Sequence, residues 1–270
     1  MCQTPLPAFH SLPEMKATKV FGQTIRYYDI GAGSPLVLLH GLGADADVWA
    51  FCLEGLSQAH RVIAPDLLGF GRSDKPLMTY RIRTFVEVLE RFFVALGLDR
   101  ASLLGNSLGG WIAASFVVTF PDRVHKLILN DSIGILAGAV EPPIDFRPSS
   151  LQNMREVLQF IFCDRSLATD ELVELAYTQH LARNDGPTII GLLETIHEEA
   201  EYLDNRLGGL TVPTLLVWGD SDNVSPLSVA QNFKLLIPQS VLETIPQCGH
   251  IPSLEKPGDL VQRVLQFLAN

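Results

Sequence analysis

Short runs of almost uninterrupted apolar residues punctuate this chain, and most intervals between them carry apolar residues at helical spacing. Residues 35–39, 61–64, 101–104 and 126–130 are such runs, each ending near a Gly or a polar residue, and 213–218 and 241–245 extend the set. A strand reads this way when helices cover both faces of a parallel sheet, leaving no solvated side for polar residues to occupy. The alternation predicts an α/β fold with a mostly parallel central sheet flanked by helices. Residues 23–31 instead alternate like a half-exposed strand before the turn Gly31–Ser34. Helices are expected over 84–96, stopped by Gly97, over 108–120 and over 257–268.

Residues 133–206 break this rhythm. A Gly/Ala/Pro-rich connector, 133–148, leads into three helical patterns near 150–163, 169–183 and 187–205. The segment reads as a helical cap laid over the strand ends, with 1–132 and 207–270 forming one sheet domain.

The 270 residues carry 20 Lys+Arg against 30 Asp+Glu, a net charge of −10. That excludes a general binder of nucleic acid or anionic membrane, both of which call for clustered cations. The charge is uneven: 133–206 holds 13 acidic residues and five arginines, leaving −8 there and −2 elsewhere. A field of that sign over an entrance predicts a neutral substrate, with Glu198, Glu199 and Glu201 on a solvated helix face. Cys2, Cys52, Cys163 and Cys248 show no metal-ligand spacing, so neither a metal nor a disulfide framework is expected. The first residues lack the pattern of a secretory signal, and no run approaches the ~20 apolar residues of a membrane span. The expected location is the cytoplasm.

The segment Leu103-Leu104-Gly105-Asn106-Ser107-Leu108-Gly109-Gly110 lies where an apolar strand meets a helix. A serine on so sharp a turn projects its hydroxyl above the sheet, at a helix N-terminus that favours developing negative charge. The turn crowds its own backbone, so the positions two before and two after must be small. Gly105 and Gly109 meet that demand.

Together with HGLG at 40–43, PDLLGFGRSDKP at 65–76, WGDSD at 218–222 and CGH at 248–250, this segment resembles the serine hydrolases of the α/β-hydrolase fold. The resemblance runs from about residue 17 to the C-terminus, and it places the cap after the sixth strand. It implies Ser107 as nucleophile and His250 as its base. For the carboxylate that orients the base, Asp222 is the first choice and Asp131, after the run 126–130, the rival. It also implies the backbone N–H groups of Leu42 and Leu108 as the oxyanion hole, with His40 shaping that loop. The stretch 66–76 is assigned a structural role, with Arg72 facing Asp74. Trp49, Trp111 and Cys248 are read as packing residues, and His180 and His197 as surface residues of the cap.

The expected activity is a carboxylesterase cleaving small, largely apolar neutral esters through an acyl-enzyme, without cofactor, as a monomer or homodimer. The alternative is a carbon–carbon bond hydrolase of meta-ring-cleavage products, 2-hydroxy-6-oxo-dienoates, because Gly105–Gly110 resembles the G-N-S-M-G-G elbow of those enzymes. Against it stand Ile251, where those enzymes have Trp after the histidine, and the anionic substrate, which calls for an arginine in the cavity. Arg147, Arg155, Arg165, Arg183 and Arg206 are the cap's candidates. A serine at the elbow argues against haloalkane dehalogenase or epoxide hydrolase chemistry, which uses aspartate there. An intact Ser–His–Asp set argues against a non-catalytic receptor.

Overall fold

The computed structural model describes residues 12–138, 143–196 and 201–270. His10, His197, Cys2, Glu198 and Glu199 lie outside the described residues. Eight strands form one sheet in the order β1-β2-β4-β3-β5-β6-β7-β8. They are β1 (Lys16–Val20), β2 (Gln23–Ile30), β3 (Pro35–Leu39), β4 (Arg61–Pro65), β5 (Ala101–Asn106), β6 (Val124–Asn130), β7 (Thr214–Gly219) and β8 (Val241–Ile245). The pairs β1/β2 and β2/β4 are antiparallel and the remainder are parallel.

Helices α1 (Ala50–Ser57) and α9 (Pro257–Ala269) pack on one face, and α2 (Ile82–Ala95), α3 (Leu108–Thr119) and α7 (Leu227–Leu236) on the other. The buried side chains of α2, Ile82, Phe85, Val86, Leu89, Phe92 and Phe93, recur at three- and four-residue intervals and form one apolar stripe. Gly97, in the left-handed conformation at φ 65, lets the chain leave that helix where a stop is expected. By contrast α3 is buried on every side from Leu108 to Val117, as befits a helix at the centre of the molecule.

Between β6 and β7 the chain leaves the sheet to form α4 (Leu151–Ile161), α5 (Asp170–Arg183) and α6 (Gly186–Thr195). The third is shorter than the pattern over 187–205 predicts. Glu201 is also not on a solvated face. It is buried, and its carboxylate accepts the N–H of Arg83 in the uncapped first turn of α2. Residues β1, α1 and α7 were not marked by the sequence pattern, and the short α8 (Pro252–Glu255) precedes α9. Among the described residues no helix is long and apolar enough to cross a membrane.

The register aligns the strand ends: Asn106 pairs with Asn130, Asn130 with Val217, and Gly219 with Ile245. The loops that follow β5, β6 and β7 therefore open onto one edge of the sheet, the edge where α/β folds gather their ligands.

Candidate active site

Ser107 stands between β5 and α3 at φ 54 and ψ −118, a left-handed conformation that side chains other than glycine seldom adopt. Holding it there costs of order 1–3 kcal/mol and is sustained by the packing around it. A Cβ on Gly105 would lie 2.2 Å from the carbonyl oxygen of Gly109, and one on Gly109 would lie 2.1 Å from that of Leu39. The small residues demanded by the turn are thus enforced by backbone on both sides. The Ser107 N–H donates to the Asn130 carbonyl at 3.1 Å, tying the turn to β6.

His250 follows β8, and its Nδ1 lies 2.8 Å from Oδ2 of Asp222. The other oxygen of Asp222 accepts the N–H groups of Val224 at 2.7 Å and Ser225 at 3.1 Å, which fixes the carboxylate's plane. With Nδ1–H donating to Asp222, Nε2 of the imidazole carries the free lone pair. Asn106 joins this loop to the turn: its Nδ2 donates to the carbonyl of His250 at 3.0 Å and to that of Asn130 at 3.2 Å. The sequence reading assigned Asn106 no task, although its place beside the serine was in view.

Asp131 occupies neither the open surface nor the imidazole's side. It is wholly buried at φ 46, and its oxygens accept the Gly219 N–H at 2.8 Å and Asn130 Nδ2 at 2.6 Å. Burial first, then the charge of neighbouring Asp222, pushes its carboxyl well above the usual carboxylate range. Asp222, not Asp131, is thus the carboxylate beside the histidine.

The HGLG loop passes directly under Ser107, since a Cβ on Gly41 would meet that of Ser107 at 3.3 Å. His40 Nδ1 bonds the Gly41 carbonyl at 2.8 Å while Nε2 accepts the Leu67 N–H at 2.9 Å. Burial lowers His40 to about 4, so the ring is neutral and can hold both bonds. Among the described residues, the N–H groups of Leu42 and Leu108 are committed to no hydrogen bond.

Behind the loop lies a buried ionic cluster. Arg72 pairs with Asp45, Asp47 and Asp66, not with Asp74, which instead accepts the Thr24 N–H. Asp66 also accepts the N–H groups of Ala46 and Arg72, so one carboxylate braces two loops. Arg183, from the end of α5, reaches the same cluster and meets Asp45 at 2.6 Å. Trp49, Trp111 and Cys248 are core residues. His60 and His125 lie away from the turn, and His180 is largely buried near Asp185 instead of solvated.

A family model described as alpha/beta hydrolase fold matches residues 34–152 and 139–257. The chain is 33% identical over 253 residues to the 2-hydroxy-6-oxo-2,4-heptadienoate hydrolase of Pseudomonas putida, covering 90% of this chain and 91% of that protein. It is 30% identical to the 2-hydroxymuconate semialdehyde hydrolase of a Pseudomonas species, covering 90% and 89%. It also superposes with a TM-score of 0.83 on a meta-cleavage product hydrolase from Pseudomonas fluorescens, solved as a serine-to-alanine variant with acetates. That match is 29% identical and covers 94% of this chain and 98% of the other.

These likenesses overturn the carboxylesterase expectation, because the relatives are named for dienoate hydrolysis. The charge argument failed for a physical reason: a sum over a segment says nothing of where each group points. Asp204 accepts the N–H groups of Leu136 and Ala137, Glu201 that of Arg83 and Asp164 that of Ser166. Several carboxylates of the segment 133–206 thus face backbone donors.

Proposed function

This chain belongs to the alpha/beta hydrolase fold family, and within it we propose a carbon–carbon bond hydrolase acting on 2-hydroxy-6-oxo-dienoates. The observation that carries this reading is near full-length identity of 30–33% to relatives named for that reaction. The Gly105-Asn106-Ser107-Leu108-Gly109-Gly110 turn accords with it. The segment 133–206 serves as the lid, and the substrate is a small molecule.

The difficulty of the reaction is that carbon leaves badly. Moving a proton from the 2-hydroxyl to the carbon beside the 6-ketone converts the dienol into an unsaturated diketone. Ser107 then gives its proton to Nε2 of His250 and its Oγ bonds to the ketone carbon. The N–H groups of Leu42 and Leu108 hold the oxyanion, each such donor being worth roughly 2.7–4 kcal/mol in the transition state. As the tetrahedral centre collapses, the carbon–carbon bond breaks and its electron pair spreads through the double bond onto the 2-carbonyl oxygen. His250 returns its proton to the resulting dienolate. Water, activated by the same imidazole, then releases the acyl group from Ser107 as a carboxylic acid. Asp222 stabilises the imidazolium in both halves.

The substrate carboxylate calls for a cation, and among the cap arginines Arg183 is the one set beside the HGLG loop. Its guanidinium is largely buried, pairs with Asp45 and is close enough to His40 to influence its ionisation. Ile251, in place of the Trp of similar enzymes, packs with Met154, Leu158 and Phe162 of the lid and presents an apolar wall.

The deciding measurement follows the loss of dienoate absorbance with 2-hydroxy-6-oxo-2,4-heptadienoate, beside release of p-nitrophenol from p-nitrophenyl acetate. The kcat/KM for the dienoate should exceed that for the ester at least tenfold, about 1.4 kcal/mol of transition-state preference. A preference for the ester would overturn the assignment. Arg183→Met should raise KM for the dienoate by a larger factor than KM for the ester.

A further inference from the structure

Glu255 closes the short helix α8, five residues after His250. One carboxylate oxygen accepts the Gly249 N–H at 2.8 Å, immediately before the histidine, and the other accepts the Cys163 N–H at 2.9 Å, just past the end of α4. The Asp164 N–H converges on the same carboxylate. The two segments are also joined directly, for the His250 N–H donates to the Ile161 carbonyl at 2.8 Å. They are packed too tightly for a side chain between them: a Cβ on Gly249 would lie 2.3 Å from that carbonyl and 2.7 Å from the Glu255 oxygen. Glu255 touches neither the serine nor the imidazole, so it holds no part in the chemistry itself.

We propose that Glu255 is a positioning residue for His250, its carboxylate pinning the histidine loop to the end of α4 so that the imidazole serves Asp222 and Ser107 together. The inference rests on the reading of Ser107 and His250 as nucleophile and base. A carboxylate suits this task because it only accepts, and every group aimed at it is an N–H. A protonated acid or an amide turns a donor toward a donor and gives up part of the clamp. The charged and titratable groups around it are Lys256, which favours the anion, and Asp131, Cys163 and Cys248. Burial pushes Glu255 up to about 7, so the clamp passes between its two forms near neutral pH.

The test uses the rate at which an alkyl fluorophosphonate labels Ser107, because that rate reports the serine–histidine pair whatever the natural substrate is. It is measured against pH in the parent, Glu255→Gln and Glu255→Asp, with circular dichroism and Tm recording the folded fraction. The parent should show two ionisations on the acid limb. Glu255→Gln should lose the one near pH 7 and label about tenfold more slowly at pH 8, and Glu255→Asp should restore the lost ionisation. Parental rate and profile in Glu255→Gln, or a fall matching only the loss of folded protein, would overturn the proposal. Dienoate turnover is followed in parallel. Rapid labelling without turnover would count against the substrate assignment alone, whereas a parent that is not labelled would sink both.

Discussion

Ser107 and His250 are placed by opposite means. The serine is fixed by backbone: a left-handed φ, two glycines pressed against carbonyl oxygens, and a main-chain bond to β6. The histidine is fixed by side chains and by the end of α4: Asp222 on the ring, Asn106 on its carbonyl, Glu255 beside it and Ile161 on its N–H. Steric placement does not titrate. Main-chain hydrogen bonds do not titrate either, whereas the Glu255 carboxylate does, so pH reaches the site on the histidine side, and the serine side answers only to changes of shape.

Substitutions can separate the two. The largest effect is expected from Asp222→Asn, which leaves the shape intact and takes away the carboxylate, with a loss of roughly 10⁴ in kcat. Asp131→Asn, measured beside it, alters a carboxyl that does not contact the imidazole and should cost less than about tenfold. Equal losses would refute the division of labour between the two. On the serine side, Gly105→Ala drives a methyl into the Gly109 carbonyl and should cost roughly 3 kcal/mol of stability by urea titration, together with activity. A stable, active Gly105→Ala would show that the turn is less rigid than its geometry states.

The pH response of stability comes next. Glu255 is raised from its ordinary value to about 7, so the folded state holds its proton more tightly than the unfolded chain does. Its contribution is fully present below about pH 4.5 and is lost as pH rises through 7, on the order of 3 kcal/mol. Glu255→Gln, which does not titrate, should flatten Tm between pH 5 and 8, and an unchanged slope would contradict the raised value. The smallest effect is a gain: Ser107→Gly should abolish turnover yet raise stability by about 1 kcal/mol, by relieving the left-handed strain.

The same division explains what could be read from the chain before its structure. The elbow was legible because its geometry is written in local glycines, and the strands because burial on both faces leaves continuous apolar runs. β1 and α1 escaped notice for the converse reason: the first is an edge strand with mixed exposure, and the second is short. The rival carboxylates could not be ranked by spacing alone, since both follow strands that end at the same edge of the sheet. Only their pairing distances separate the one beside the imidazole from the one behind it. Arg72 was misassigned to Asp74, its near neighbour in the chain, when Asp45 and Asp47 reach it from another loop and Asp66 from six residues before it. The charge of 133–206 misled most, because a net sum does not record where each carboxylate points.

The bond between the His250 N–H and the Ile161 carbonyl has a kinetic consequence. If Ser107 and His250 act as proposed, an outward shift of the end of α4 would slacken the loop that carries the base and leave the Ser107 hydroxyl without a well-aimed proton acceptor until α4 returned. Admission of a ligand and reactivity toward it would then alternate.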